Sequence, residues 1–372
     1  MTVTPSILVK LPTELIELII DFVASPRALA ALKQTCSTFD RLTEARSYES
    51  VLIANSKGNA FFHAMHRKPE RRKRVHELAV DYDLLESKEG PNCSACSACV
   101  QASEFAELSR LEALKVRLGF WDRDKDDADS HPVQWEHDQA QLSRLFGKAG
   151  LAVPLCMRTW QSLTVWWEGI LDFHELGGEG PHLVLEANIF LVASLQELTI
   201  RGCQFHQDDG SALINTPYRG HTALQRLHLE HSYIQDLALT RFLRMPRALT
   251  HLTLYHDESF SAFETGWSMT SPTARYYMSA LRLQKHSLQV LRMNHEFTWS
   301  MTEGAFDFTD FPSLELLEHG RTSNEIDFTV RGGVETKILE REDLVQSCIP
   351  RAECEWWASV TMTALADNNY EL

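Results

Sequence analysis

The pattern Leu-x-x-Leu-x-Leu recurs along most of this chain of 372 residues. The clearest copies begin at Leu195, Leu224, Leu249 and Leu288, and looser or shorter copies begin at Val75, Leu111, Trp160 and Leu314. The last two apolar residues of each copy are two positions apart, so in an extended strand both side chains lie on the same face. The pattern therefore predicts a series of short strands, each with one buried face.

The spacing of these copies indicates how the strands are connected. Successive copies start 36, 49, 35, 29, 25, 39 and 26 residues apart. Helix-compatible stretches, such as Ile234 to Arg244 and Thr273 to Lys285, lie between them. The array resembles the irregular leucine-rich repeats of fungal proteins, in a family whose repeats are about 20 to 29 residues long. This resemblance implies a solenoid of strand-turn-helix units over residues 75–345, with inserts near 86–103 and 121–140 and a C-terminal cap or tail over 346–372.

In such a repeat, the residues beside the buried leucines lie on the concave face. Tryptophan, tyrosine and arginine contribute most to binding where a partner removes them from water. We therefore predict that a protein target binds there. The alternative for any one of these side chains is that an insert buries it or that it is merely solvated. The predicted target-binding residues are Trp166, Arg201, His228, Tyr255 and Arg292.

A different pattern occupies residues 11–42. Pro12 suits the first turn of a helix, because the N–H group that proline lacks would be unpaired there anyway. A helix is predicted from about residue 12 to 23, and Ser25-Pro26 begins a second amphipathic helix that continues into Cys36 and Phe39. The first helix is apolar on more than one side. Some of that surface should therefore contact a partner.

The residues Leu11-Pro12-x-Glu14-Leu15 and the later Cys36-x-x-Phe39 resemble an F-box. The resemblance implies a bundle of about three short helices over residues 8–50 that binds the SKP-type adaptor of a cullin-RING ubiquitin ligase. It departs from the family at Phe39, where many members have tryptophan. We expect the Phe22–Val23 end and Leu42 to attach the unit to the rest of the chain. The adaptor-binding residues that the resemblance implies are Leu11, Pro12, Leu15, Ile16, Ile19, Leu29, Leu32, Cys36 and Phe39. A plain helical hairpin that caps the repeats is the alternative.

Residues 51–74 are predicted to be a basic linker. Six basic side chains lie between Arg67 and Arg74. A solvated hinge explains them, and a nuclear-import signal or a phosphate-binding patch is the alternative.

Composition excludes several classes of protein. The chain has 36 basic and 51 acidic side chains, a formal net charge of -15, which disfavours general binding to nucleic acid. The most apolar segment, Leu15 to Ala24, is about half of the roughly 20 residues that a membrane span needs. The first ten residues lack the pattern of a secretory signal, and eight cysteines are too few for a disulfide framework. We expect an intracellular protein, in the cytoplasm, the nucleus or both, with no membrane partner.

No motif for catalysis stands out. G-x-S-x-G and G-x-x-x-x-G-K are both absent, so neither a hydrolase nucleophile nor a phosphate-binding loop is predicted. Cys93, Cys96 and Cys99 have the spacing of metal ligands, but no fourth ligand follows at a diagnostic distance. We interpret them as free thiols in an insert. A metal or redox role for these three cysteines is the alternative, and no cofactor is predicted.

Together these features predict an α+β protein in which a helical F-box precedes an irregular leucine-rich-repeat solenoid. The implied function is the substrate-recognition subunit of an SCF-type cullin-RING ubiquitin ligase, which is not itself an enzyme. The F-box would bind the SKP-type adaptor, and through it a cullin, while the concave face would bind the target. The rival functions are an interaction scaffold without a role in ubiquitination and a metal or redox protein.

Overall fold

A computed structural model describes residues 11–23, 26–54, 58–81, 105, 107–118, 155–167, 183–184, 187–205, 219–230, 232–234, 236–255, 274–293, 305–320 and 327–339. The α-helices of these residues are α1 (Thr13–Asp21), α2 (Pro26–Lys33), α3 (Ser37–Ser47), α4 (Gly58–Arg67), α5 (Asp236–Arg244) and α6 (Ala274–Leu281). The strands are β1 (Ser50–Ala54), β2 (Glu77–Asp81), β3 (Ala113–Leu118), β4 (Ser162–Trp167), β5 (Leu183–Val184), β6 (Glu197–Arg201), β7 (Cys203–Phe205), β8 (Arg226–Glu230), β9 (Tyr233–Ile234), β10 (His251–Tyr255), β11 (Val290–Met293), β12 (Phe306–Phe308), β13 (Leu316–Gly320), β14 (Phe328–Val330) and β15 (Glu335–Leu339).

Ten of these strands form one parallel sheet, and their order across the sheet follows their order in the chain. The order is β1-β2-β3-β4-β6-β8-β10-β11-β13-β15. Strands β5, β7 and β9 form a small parallel sheet, and β12 pairs with β14. Parallel neighbours cannot be joined by a tight hairpin. The connections are accordingly long, and some of them pair with one another through these smaller sheets.

This architecture corrects the predicted fold class. The protein is of α/β type, built on a ten-stranded parallel sheet, so the prediction of an α+β protein with a helical F-box and a leucine-rich-repeat solenoid was wrong. Each segment with the leucine pattern does form a strand, but the expected regular strand-turn-helix unit does not recur. Among the described connections of this sheet, α-helices occur as α4, α5 and α6, and 3-10 helices at Pro69–Arg74, Leu155–Thr159, Ala187–Leu191 and Arg282–Gln284.

The sheet also extends beyond the leucine pattern at both ends. Residues 51–74, which were predicted to be a linker, contain most of β1, all of α4 and a 3-10 helix at Pro69–Arg74. Strand β1 pairs in parallel with β2, and β15 pairs with β13. The sheet therefore begins at Ser50 and not at residue 75. The predicted inserts near 86–103 and 121–140, and the C-terminal segment 346–372, lie outside the described residues.

Aligned leucines form the core of the sheet. They occupy the same register position in eight strands, and each is buried, which stabilises the fold by about 2 kcal/mol per side chain. A second buried row lies two residues further along. The leucines are Leu78, Leu114, Leu163, Leu198, Leu227, Leu252, Leu291 and Leu317. The second row is Val80, Val116, Val165, Ile200, Leu229, Leu254 and Met293.

Backbone hydrogen bonds at the strand starts fix this register. The N–H groups of Gln196 and Glu197 both donate to the carbonyl of Gln161, at 2.7 and 3.0 Å. The same arrangement recurs one strand later, where Gln225 and Arg226 donate to the carbonyl of Gln196 at 2.8 and 3.0 Å. A shift of one residue would break these bonds and move the leucines to the opposite face.

A buried glutamine joins α5 to the strand that follows it. The side-chain nitrogen of Gln284 donates to the carbonyls of Leu243 and Pro246, at 2.7 and 3.1 Å, and its oxygen accepts from the N–H of Leu249 at 3.0 Å. Buried backbone groups at the end of a helix need such partners. Gln284 therefore replaces the water that these three groups would otherwise bind.

No helix in the described parts of the chain combines the length and the apolar composition that crossing a membrane requires.

Gly202, between β6 and β7, supplies a test of this fold. Its φ is 78°, and a Cβ atom there would lie 2.2 Å from the carbonyl oxygen of Trp167. We expect Gly202→Ala to lower the free energy of unfolding by about 2–4 kcal/mol, through backbone strain and this clash. Urea unfolding measures the change. Gly332→Ala, where no atom lies within 4 Å, should stay within about 0.5 kcal/mol of wild type, and equal effects at both sites would contradict the structure.

Candidate functional site

Helices α1, α2 and α3 form a small unit with its own core. Ile16, Ile20 and Phe39 are buried at its centre, and Leu29 and Leu32 are among the partly buried side chains that pack against them. Ile16 and Phe39, both predicted to bind an adaptor, therefore hold the unit together and do not reach its surface. Leu11, Leu42 and Cys36 are also only partly exposed.

The predicted second helix is in fact two helices. Helix α2 ends at Lys33, and the hydroxyl of Thr35 donates to the carbonyl of Leu32 at 2.7 Å. Helix α3 begins at Ser37, and the carbonyl of Cys36 accepts from the N–H of Asp40 at 2.9 Å. Apolar spacing alone did not reveal this break, because Leu29, Leu32, Cys36 and Phe39 keep helical intervals across it.

One side of α1 exposes large apolar side chains. Their spacings of three and four residues place them in one row along the helix, which we call the α1 stripe. Phe22 is the most exposed, so the prediction that it attaches the unit to the rest of the chain was wrong. Pro12 is exposed next to the stripe. The stripe consists of Leu15, Leu18, Ile19 and Phe22, which are 47%, 52%, 37% and 81% exposed.

Leu18 belongs to this stripe although sequence reasoning did not select it. Helix α1 is apolar on two sides, and the sequence does not say which side packs against α3. In the structure Ile16 and Ile20 take the inner side, which leaves Leu15, Leu18 and Ile19 outside. The spacing of three and four residues between Leu18 and its apolar neighbours was the sequence signal that could have identified Leu18.

The three-helix unit is tied to the start of the sheet by the basic segment. The Arg71 guanidinium forms an ion pair with Glu44 of α3 and lies 4.8 Å from the ring centre of Tyr48. Lys68 Nζ is 3.3 Å from the same carboxylate. Hydrogen bonding from Arg71 holds the pKa of Glu44 below its usual value. The segment predicted to be a linker is thus a structural contact between the two units.

The second surface is the side of the sheet opposite the leucine rows, which we call the polar face. All five predicted target-binding residues lie on it, in two adjacent rows. The first row is Lys115, Thr164, Thr199, His228, Thr253, Arg292 and Glu318. The second row is Arg117, Trp166, Arg201, Glu230 and Tyr255.

Burial separates these five residues into two groups. Trp166 and Tyr255 are only 7% and 3% exposed, so neither presents an aromatic surface to a partner. The Arg201 and Arg117 guanidiniums lie 4.8 and 5.9 Å from the ring centre of Trp166, one from each neighbouring strand. Such contacts stabilise the sheet through cation–π attraction.

His228, Arg201 and Arg292 are partly buried on the polar face and keep some contact with solvent. The side chain of Arg292 is 42% exposed, and its Nε lies 2.6 Å from a carboxylate oxygen of Glu318. His228 Nδ1 lies 2.9 Å from the hydroxyl oxygen of Thr253. Burial, together with the charge of Arg292, lowers the pKa of His228 to about 4, so this imidazole is neutral at physiological pH.

No cluster of three or more histidine, cysteine, aspartate or glutamate residues with the geometry of a metal site occurs within the described ranges. Cys93, Cys96 and Cys99 lie outside those ranges, so a metal site formed by these cysteines stays a prediction.

Comparison with models of known protein families finds no match, and comparison with curated proteins finds none either. The α1 stripe and the polar face are therefore the features on which a functional proposal rests.

The contact between Glu44 and Arg71 predicts a pH dependence of stability. Because the folded-state pKa of Glu44 is lowered, the stabilisation is complete above the ordinary value of 4.5 and is lost as the pH falls below it. We expect Arg71→Ala to lower the free energy of unfolding by about 1 kcal/mol at neutral pH and by less near pH 3. Urea unfolding across this pH range measures the difference. The exposed neighbour Arg67, changed to alanine, is the control, and a loss that is independent of pH would contradict an ionic origin.

Proposed function

We propose that this protein is the substrate-recognition subunit of an SCF-type cullin-RING ubiquitin ligase. In this proposal the three-helix unit binds an SKP-type adaptor, and through it a cullin, while the polar face of the sheet binds a target protein. The protein itself performs no chemistry and acts inside the cell, in the cytoplasm, the nucleus or both.

The α1 stripe is the observation that carries the proposal. Three large apolar side chains on one side of a nine-residue helix, with Phe22 directly after its last residue, are unfavourable in water, and apolar patches of this kind mark sites of protein association. The sequence around the stripe, Leu11-Pro12 followed by Glu14-Leu15, is the part that resembles an F-box. Patch and motif coincide, which supports docking by this unit.

The role of such a subunit is to raise the local concentration of a target protein near the ubiquitin-charged enzyme. A target held on the polar face would experience a ubiquitin-charged enzyme at an effective concentration of roughly millimolar, without any new chemistry from this chain. The contacts among Glu44, Tyr48 and Arg71 favour this role, because they limit how far the helical unit moves relative to the sheet.

The same two surfaces would also serve an interaction scaffold that binds the adaptor without promoting ubiquitination. Reconstitution separates the two functions. A ligase subunit should increase ubiquitination of a captured target when adaptor, cullin and charged enzyme are present, whereas a scaffold should not.

Adaptor binding is tested with Leu15→Ala combined with Ile19→Ala. Both side chains are exposed, so we expect normal folding but a loss of about 2 kcal/mol of binding, roughly thirtyfold in Kd. Calorimetry with a purified SKP-type adaptor measures the affinity. Ile338→Ala removes another exposed apolar side chain, on β15, and should leave the affinity unchanged. If folded wild-type protein binds no SKP-type adaptor, the proposal is wrong.

Target binding is tested with Arg201→Ala combined with Arg292→Ala. We expect this change on the polar face to reduce the yield of co-purified target by about tenfold while adaptor binding is kept, because arginines contribute strongly at interfaces. Quantitative mass spectrometry of purified complexes measures both. Arg244 and Arg247, exposed near the end of α5, supply a control double change to alanine that should not alter target yield. Equal yields from all three proteins would exclude these two residues from target binding.

A further inference from the structure

The α1 stripe is bordered by negative charge along one side. Helix α1 carries three exposed acidic side chains, Glu14, Glu17 and Asp21. Glu14 precedes Leu18 by four residues and Asp21 follows it by three, so both lie beside Leu18 on the helix surface. The other border of the stripe is the buried side that contains Ile16 and Ile20. The acidic border is therefore on one side only.

Helix stability explains only part of these acidic positions. Glu14 lies in the first turn, where the helix dipole favours a carboxylate, but Asp21 is the last residue, where the dipole opposes it. The last turn contains no basic residue, and the cation next to Asp21 is the exposed Arg46, whose Nε is 3.8 Å away. Within the described part of the chain, Glu14 and Glu17 form no ion pair. Their carboxylates therefore face solvent and are accessible to a partner.

Charge also decides what kind of partner covers the stripe. In a two-fold dimer the same patch meets itself, so the acidic border of one copy would oppose or adjoin that of the other. The net charge of -15 adds a general repulsion between copies. A second copy of this chain is thus disfavoured. A different protein with basic residues at the matching position is favoured by charge complementarity.

We propose that α1 docks as a helix into an apolar groove of its partner, and that lysine or arginine side chains of the partner line the side of the groove that faces Glu17 and Asp21. The apolar stripe supplies the contact area, as in other helix-in-groove complexes, and the acidic border fixes the direction in which the helix lies. This inference rests on the proposed function, in which the partner is the SKP-type adaptor, and adds the chemistry of the groove.

The test uses the full chain and a purified SKP-type adaptor, with association rate and Kd measured at low and high salt. Glu17→Lys combined with Asp21→Lys reverses the border. We expect a loss of about tenfold in affinity at low salt, mostly in the association rate, and a smaller loss at high salt, where screening is strong. Glu315→Lys combined with Asp327→Lys makes the same change in net charge on exposed positions of the sheet unit and should change affinity by less than about threefold.

A second variant separates this inference from the function on which it rests. Leu18→Ala combined with Phe22→Ala removes half of the stripe and should weaken adaptor binding at every salt concentration. If that variant weakens binding while the reversed border behaves like its control, the basic groove is overturned and the adaptor proposal stands. If wild-type protein binds no adaptor, both proposals fail. If sedimentation shows a dimer that the stripe variant abolishes, a second copy covers the stripe and the inference is wrong.

Discussion

The register between neighbouring parallel strands is the constraint on which the rest of this structure depends. Side chains alternate between the two faces of a strand, so one register places every leucine in the core and every alternate residue on the polar face. The paired N–H groups at the strand starts, such as those of Gln196 and Glu197 on the carbonyl of Gln161, hold that register. The same bonds therefore determine both the stability of the sheet and the arrangement of its outer surface.

The two candidate surfaces differ in the kind of side chain that they expose to solvent. The polar face has buried its aromatic residues, and Trp166 lies between Arg117 and Arg201, which leaves arginine and histidine side chains for contacts. The α1 stripe, in contrast, exposes apolar side chains. Its unit has a core of only a few side chains and is too small to cover both sides of α1, so apolar groups stay in water until a partner covers them. Covering by a partner therefore removes more exposed apolar surface from water at the α1 stripe than at the polar face.

A short basic segment connects the helical unit to the sheet. Its position in the fold decides whether its charges are solvated or form ion pairs. In the sequence, Arg67 to Arg74 has the composition of a solvated linker. In the structure, Arg71 is largely buried between the carboxylate of Glu44 and the ring of Tyr48, and Arg72 pairs with Glu107 at 3.1 Å. Its charge is used to join the helical unit to the sheet. No local pattern identifies these partners, because Glu44 and Glu107 are far from Arg71 and Arg72 in the chain.

The sequence by itself determined the positions of eight of the ten strands in the large sheet and the identity of their buried leucines, since the alternation of apolar residues along a strand is a local property. It also located the start of α1 to within one residue, because Pro12 directly precedes the first helical residue, Thr13, and it placed five candidate residues on one face of the sheet. Only the tertiary structure decided the fold class, because pairing partners and strand order are non-local, and β1 and β15 carry no leucine pattern. It likewise decided which side of α1 is exposed and that Trp166 and Tyr255 are buried. Burial depends on what packs against a residue, and the residue's own neighbours in the chain do not specify that.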